Sequence, residues 1–466
     1  MQEILKQIPK VDKVLDSKEF IQLKLKYKHE ILVKLIQIEI DDLRSSILKG
    51  KKKSVEKDIF SKIAISIEEQ FLPFTRSAIN ATGIVLNTGL GRAPLSERVL
   101  SNLQGILQGY STLEVNVETG KRGRREDKIS DLISIITGAE AATVVNNNAA
   151  AVMICINTLA QRKEVIVSRG ELVEIGGSFR MPDVIKKSGG KIVEVGSTNK
   201  TKVSDYEDAI TSKTGALVKV HTSNYRIEGF TDEVSVKELS ELGKKHNIPF
   251  YYDLGGGIFS DLSKYGLPHE PTVQDAIKDG ADLYSFSGDK VLGGPQCGII
   301  AGSKELIEKV KKNPLMRVMR TDKIRLALLE ETLKIFVEKD PIDSGHLTLQ
   351  LLAAKRKDLE KKAKKLNNDI SLIVPKKWKI LVEEVLDQAG SGTLPTERLE
   401  GIAVSIQQDD ISVSKLSKEM RMIDQTPVFG YINDEKYYLS LRTIFKSEFE
   451  QITDNLKAIL KKYKIR

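Results

Sequence analysis

Apolar positions in the first 75 residues recur at three- and four-residue steps. Ile31, Leu35, Ile38 and Ile47 interleave with Leu32, Ile36, Ile40 and Leu43, a spacing that predicts amphipathic helix. The break FLPF at Phe71–Phe74 precedes a change of texture. From about Ile79 to Gly302 short β-branched runs alternate with helical segments: AATVV (Ala141–Val145), VIVSR (Val165–Arg169), KIVEV (Lys191–Val195), ALVKV (Ala216–Val220) and PFYYD (Pro249–Asp253). Continuous apolar strands separated by helices indicate a mostly parallel sheet covered on both faces, an α/β class. Helices return between about Lys304 and Lys365, and from Trp378 onward strands and helices mix. A chain of 466 residues exceeds what one hydrophobic core organises. The expected division is an N-terminal helical domain over 1–75, a large domain over 76–335 and a small C-terminal α+β domain over 336–466. No internal repeat or low-complexity tract interrupts it.

Composition narrows the class further. No run approaches the roughly 18 apolar residues of a membrane span, and MQEILKQIPK lacks the apolar core of a signal peptide. No membrane partner and a cytoplasmic location are expected. Two cysteines, Cys155 and Cys297, exclude a disulfide framework. With five histidines and no ligand spacing, no metal site is expected either. The net charge of +9 is moderate, but residues 1–66 hold fifteen Lys/Arg against ten Asp/Glu. GKKK (Gly50–Lys53) and KRKDLEKKAKK (Lys355–Lys365) are local basic clusters. They suit a polyanion such as RNA; solvation of helix faces is the plainer account.

Chemistry concentrates in YSFSGDKVLGGPQCGII, Tyr284–Ile300. Lys290 lies between a strand and a glycine-rich loop, where Ser287, Gly288, Gly293 and Gly294 let a planar group approach the backbone. A lysine in such a partly desolvated niche can lose its proton and form a Schiff base. Asp253, 37 residues earlier in YYDLGGG, ends an apolar strand and suits the protonated pyridine nitrogen of pyridoxal 5′-phosphate (PLP). Asn146–Asn148 lead from a strand into an Ala-rich helix, whose free amides and dipole can cradle a phosphate. Taken singly, the lysine reads as a surface residue, the aspartate as a cap and the asparagines as N-caps. In this order they point to a PLP site with Lys290 as the carrier. Arg92 in TGLGRAPL, and Arg317 with Arg320 on one expected helix face in NPLMRVMR, add forks suited to an anion.

These strings together resemble the bacterial selenocysteine synthase family, the L-seryl-tRNA(Sec) selenium transferases. The resemblance rests on INATGIVLNTGLGRAPLS, TGAEAATVVNNNAAAV, SRGELVEIGGSFRMPD, YDLGGG, SFSGDKVLGGPQCGII and NPLMRVMR, then GTLPTERL, LSLRTIF and the early IPKVDKVL. It spans almost the whole chain. It implies a fold-type-I PLP-dependent transferase core (aspartate-aminotransferase-like), an N-terminal domain that binds tRNA, and ring-shaped homodecamers built from dimers. It further implies conversion of seryl-tRNA(Sec) to selenocysteinyl-tRNA(Sec) with selenophosphate, through an aminoacrylyl intermediate. By the same resemblance Lys290, Asp253 and Asp289 are catalytic, and Asn147, Asn148 and Ser287 lie near the cofactor phosphate. Arg92, Arg317 and Arg320 hold selenophosphate, and Tyr225, in HTSNYRIEGF, lines the substrate site. For Tyr225, packing beside the sheet is an equal alternative. The chain departs from the family pattern at Asn87-Thr88-Gly89 and at Ser197-Thr198-Asn199, near the expected substrate pocket.

Two other functions remain open on the sequence. One is a PLP lyase or desulfurase acting on a free amino acid or amino sugar phosphate. The other is a non-catalytic RNA-binding protein on a degenerate PLP fold, against which the joint presence of Lys290, Asp253 and the Asn-rich helix start argues.

Overall fold

Most of the β-branched runs of the middle of the chain are buried because helices cover them from both sides; the edge run Lys191–Val195 keeps Lys191 and Glu194 exposed. The computed structural model describes residues 2–101, 103–177, 179–394, 397–422 and 426–465. Ser178 of the SRGELVEIGGSFRMPD string and Pro395 and Thr396 of GTLPTERL lie outside the described residues. The chain forms two compact units, Met1–Ser77 and Ala78–Arg466.

In the second unit the main sheet has seven strands: β1 (Ala141–Val145), β2 (Glu164–Ser168), β3 (Lys191–Val195), β4 (Thr214–Val220), β5 (Phe250–Gly255), β6 (Leu283–Ser287) and β7 (Gly298–Gly302). Their spatial order is β1-β7-β6-β5-β4-β2-β3. Strand β7 runs antiparallel to both neighbours and every other pair is parallel. Alternate residues enter opposite cores. On β5, Phe250 and Tyr252 pack with Leu239 and Leu242 of the helix Val236–His246. Tyr251 packs on the other face with Ala151 and Ile154 of the helix Asn148–Ala160. Double coverage is why these strands read as unbroken apolar runs rather than alternating ones. The ends of the parallel strands then form the crevice where ligands bind in such sheets.

A second sheet joins Lys379–Gly390, Leu399–Gln407, Lys436–Ser440 and Tyr431–Asn433 in antiparallel pairs. Helices Arg356–Ser371, Val413–Met422 and Phe449–Tyr463 pack against it through Leu366, Met420 and Leu456. Residues 79–86, expected within the large domain, belong to this layer instead. Ile84 and Leu86 pair in parallel with Gln388 and Gly390, and Ile79 pairs with Val428. The cause is burial: Ile79 and Ala81 enter the core built by Trp378, Leu439 and Ile459. Gly83 (φ +75°) passes so close to Asp387 that a Cβ there would lie 2.0 Å from its Oδ1.

Beneath that crossing lies a buried ion pair. Arg442 is 3% exposed and donates from Nε to Asp387 Oδ2 at 3.0 Å, with Nη1 to Leu351 O at 2.8 Å and Nη2 to Glu400 O at 2.6 Å. Removing one member of such a pair strands the other charge, at a cost of about 3–5 kcal/mol. Arg442→Met is expected to lose that much in urea unfolding of the full chain. A loss below about 1 kcal/mol would show that the pair is dispensable.

The first unit is helical throughout its regular structure, with His29–Leu48 and Ile59–Gln70 as its longest helices. Of the two interleaved apolar sets, Leu32, Ile36, Ile40, Leu43 and Ile47 form the buried stripe, while Ile31 and Ile38 are exposed. Lys51–Lys53 follow the long helix as an exposed basic turn. In the second basic cluster, Lys362 does not solvate the surface: its Nζ donates to Leu441 O at 2.6 Å, and burial brings its amine down to about 8.

Candidate active site

The site is built on one row across the sheet. Register aligns Ser285 of β6 with Asp253 of β5, and Asp253 with Val220 of β4. Side chains two apart on a strand share a face, so Asp253 lies on the side of Tyr251, and Ser285 and Ser287 on that of Leu283. That face is covered by the helix Asn148–Ala160.

Asp253 is 6% exposed, and its Oδ1 accepts from Asn148 Nδ2 at 2.8 Å, from Gly255 N at 3.2 Å and from Ser285 Oγ at 3.3 Å. The Ser285 hydroxyl also meets Tyr251 OH at 2.6 Å. Burial pushes the Asp253 carboxyl above its ordinary value; the Asn148 and Gly255 hydrogen bonds and the Lys290 charge oppose it. A buried carboxylate in this condition favours a cationic partner.

Lys290 follows β6 and is 7% exposed. Burial holds its amine below the usual lysine value; Asp253 works against that, Arg92 with it, and Asp289 against it. Its niche is closed by Gly392 (φ +82°), where a Cβ would lie 2.5 Å from Lys290 Nζ. The preceding residue, Asp289, binds Arg92: Nη1 to Oδ2 is 2.6 Å. Arg92 holds a left-handed backbone (φ +64°), a conformation that costs energy in a non-glycine residue and clusters at functional sites. Asn87 prepares this turn, accepting from Gly89 N at 3.0 Å while its carbonyl accepts from Arg92 N at 2.9 Å. The departure at Asn87 and Gly89 therefore supports the loop that carries Arg92.

Asn147 caps the 13-residue helix Asn148–Ala160, its Oδ1 accepting from Ala150 N at 2.9 Å. The capping account of that residue is thus realised. Ser287 is buried on the same face as Asp253. Arg317 lies on the short helix Leu315–Met319, but Arg320 has left it and turned extended (ψ 131°), so the two do not share one helix face. The chain must straighten there because Asp322 begins the next helix, accepting from Ile324 N and Arg325 N. Both arginines are exposed. Met319 O accepts from Asn146 N at 2.8 Å and Arg320 bridges to Val145, which places this segment beside the phosphate-type helix start. Arg320 Nη1 faces Glu114 Oε1 at 3.8 Å rather than the Arg92–Asp289 pair. The hydrogen bond from Arg125 holds the Glu114 carboxyl below its ordinary value.

Tyr225 is half-buried, and its hydroxyl donates to Gly170 O. It shares a cavity with His221, the first residue after β4, whose backbone N–H donates to Asp253 O at 2.8 Å. Burial, with Lys219 and Lys290 nearby, lowers the His221 imidazole to about 4. The structure thus gathers Lys290, Asp253, Asn148, Ser287, Asp289 and Arg92. Tyr225 lies to one side, and Arg317 and Arg320 at the helix start. Reading the sequence missed Ser285, Tyr251, His221 and Gly392. Period-two alternation back from Asp253 and Ser287 signals the first two; nothing local signals Gly392.

The match to known proteins decides the family. The model of the L-seryl-tRNA selenium transferase family matches residues 78–445. The L-seryl-tRNA(Sec) selenium transferase of Alkaliphilus metalliredigens is 44% identical over 464 residues, 98% of this chain and 99% of that one. The chain belongs to the L-seryl-tRNA selenium transferase family. Another L-seryl-tRNA(Sec) selenium transferase, from Aquifex aeolicus, is 43% identical over 461 residues, covering 99% of this chain and all of that one. Among solved structures, D-glucosaminate-6-phosphate ammonia-lyase superposes with a TM-score of 0.58 at 20% identity, over 85% of this chain and 99% of that one. The fold is that of the fold-type-I PLP enzymes, and PLP is the cofactor of this selenium transferase family. The residues present fit that group. Asn148 Oδ1 is buried without a hydrogen-bond partner among the described residues, Asp253 is a buried carboxylate favouring a cation, and Lys290 is a desolvated amine within the same face.

Proposed function

We infer that this chain converts seryl-tRNA(Sec) to selenocysteinyl-tRNA(Sec), with selenophosphate as selenium donor, as a cytoplasmic homodecamer. The observation that carries the activity is end-to-end similarity. An alignment over 98% of the chain takes in the basic helical unit Met1–Ser77 as well as the Lys290 niche, and a lyase acting on a free amino acid has no use for such a unit. We also read that unit as the tRNA-binding domain. Among the described residues no helix is long and apolar enough to cross a membrane.

Lys290, Asp253, Asn148, Ser287 and the first amides of the helix capped by Asn147 would hold PLP. Bound there, PLP supplies an electrophilic carbonyl and a ring that accepts the electron pair of a broken Cα–H bond. Asp253, fixed by Asn148 and Ser285, keeps a negative charge where that ring is most basic. Lys290 Nζ, whose hold on its proton burial loosens, removes the Cα proton of the seryl group and returns a proton as the hydroxyl leaves. Arg92, steadied by Asp289, would hold the selenophosphate anion beside Cβ, and Arg317 with Arg320, exposed at the neighbouring helix start, would draw it in. Fixed cationic forks of this kind act by positioning and charge stabilisation. The test is incubation with seryl-tRNA(Sec) and selenophosphate, followed by analysis of the aminoacyl group; unchanged serine would refute the activity.

The tRNA assignment of the first unit has its own expectation. Deleting residues 1–66 is expected to weaken tRNA binding and flatten its dependence on salt, because every phosphate no longer neutralised takes about 0.7–0.9 off the log–log slope. The visible absorbance of bound PLP stays as it was. Equal affinity and slope in a gel-shift titration would remove the assignment.

A further inference from the structure

Two cavities open beside neighbours of Lys290. One, of about 420 Å³, is lined by Arg92 and Asp289, the residue preceding the lysine. The other, of about 200 Å³, lies across Gly392: Leu394, two residues on, forms part of its wall. We propose that this second cavity, lined by His221, Thr222, Tyr225, Arg226, His269 and Glu270, seats the 3′-terminal nucleotide of the aminoacyl-tRNA, with Arg226 holding its phosphate.

The inference deepens the proposed function and rests on it. An amino acid esterified to a terminal ribose has its Cα only a carbonyl and an oxygen away from the sugar. A lysine that takes the Cα proton therefore needs an adjoining space for that nucleotide. The Arg92 side is committed to the anionic donor, which attacks Cβ, so the nucleotide joined through Cα needs a separate approach. At about 200 Å³ the cavity falls below the ~300–1,000 Å³ of ordinary ligand pockets, so it can take part of one terminal nucleotide and not a duplex stem.

Arg226 supplies the charge. Among the described residues it has no ion pair and no hydrogen-bond partner, so its fork is available to a phosphate. The loop that presents it is already fixed. Tyr225 OH binds Gly170 O on one side of Arg226, and Asn199 Nδ2 donates to Phe230 O at 2.6 Å on the other. A pinned loop loses little freedom on binding. Phe230, 88% exposed on the same loop, offers a ring on which the preceding unpaired base can stack. An unpaired cation and an exposed aromatic are parts from which single-stranded nucleic-acid sites are made.

The test compares PLP-loaded wild type, Arg226→Ala and Arg226→Lys with two substrates, seryl-tRNA(Sec) and the trinucleotide CCA esterified with serine. In Arg226→Ala the KM for both is expected to rise about tenfold, the equivalent of one charge-assisted hydrogen bond. The KM for selenophosphate and the visible absorbance stay unchanged, and Arg226→Lys falls between. An unshifted KM with the trinucleotide, or a shift confined to selenophosphate, overturns the assignment. Wild-type turnover with an unshifted Arg226→Ala sinks this inference alone. Absence of wild-type turnover sinks the proposed function together with it.

Discussion

Lys290→Ala is expected to abolish the near-visible absorbance of the bound cofactor and to lower turnover by at least roughly 10²–10⁴-fold, the share a positioned proton-transfer group contributes. The reason is local. Burial is the largest influence on this amine and holds it below the usual lysine value, which makes it a readier base than an exposed lysine. Lys290→Arg keeps charge and bulk but has no accessible neutral form, and it should fail equally. Absorbance spectra and single-turnover assays on both variants check this. Near-normal turnover in either would remove Lys290 from the chemistry. The closeness of Gly392 adds a steric counterpart, since no side chain can be placed there without meeting Nζ.

Asp253→Asn carries the second large effect, and its sign differs between the two forms of the protein. With PLP bound, the variant loses the negative charge facing the ring. Breaking a buried charge pair costs about 3–5 kcal/mol, or roughly 10²–10⁴-fold in rate. Without PLP the balance reverses. The folded-state pKa of Asp253 is raised by burial, so the native protein holds this proton more tightly than the unfolded chain. Stability from this group is therefore lost as pH rises from the ordinary carboxylate value through the raised one. Asn removes that loss, and the cofactor-free variant should unfold at an equal or higher urea concentration than cofactor-free wild type at pH 7. A variant that is both less active with PLP and less stable without it would show that Asp253 is a structural carboxylate held by Asn148 and Ser285.

Much of this was legible in the chain itself, for identifiable reasons. Strands β1, β2, β4 and β5 coincide with apolar runs because both faces of the sheet are covered there, while the edge strand β3 keeps two exposed charges, Lys191 and Glu194. Asp253 and Lys290 stood out because a charged residue at the end of such a run has no packing role to play. The placement of 79–86 was not legible. Its partners at Gln388 and Val428 are some three hundred residues away, and no local pattern encodes a pairing so distant. Arg320 was read as helical because residue spacing alone does not reveal that Asp322 starts a new helix. The wall that Gly392 builds over Lys290 escaped for the same reason as the distant strand pairing: it joins segments that the sequence holds far apart.

The strand formed by Ile79 and Asn80 beside Val428 and Phe429 also sets a timetable for biogenesis. At about 5–20 residues per second of translation, the partner of Ile79 leaves the ribosome roughly 20–70 s after Ile79 itself. During that interval a hydrophobic stretch that ends up fully sheltered has nothing to pair with. Until then Ile79 and Ala81, buried in the finished fold, lack the late segment that covers them.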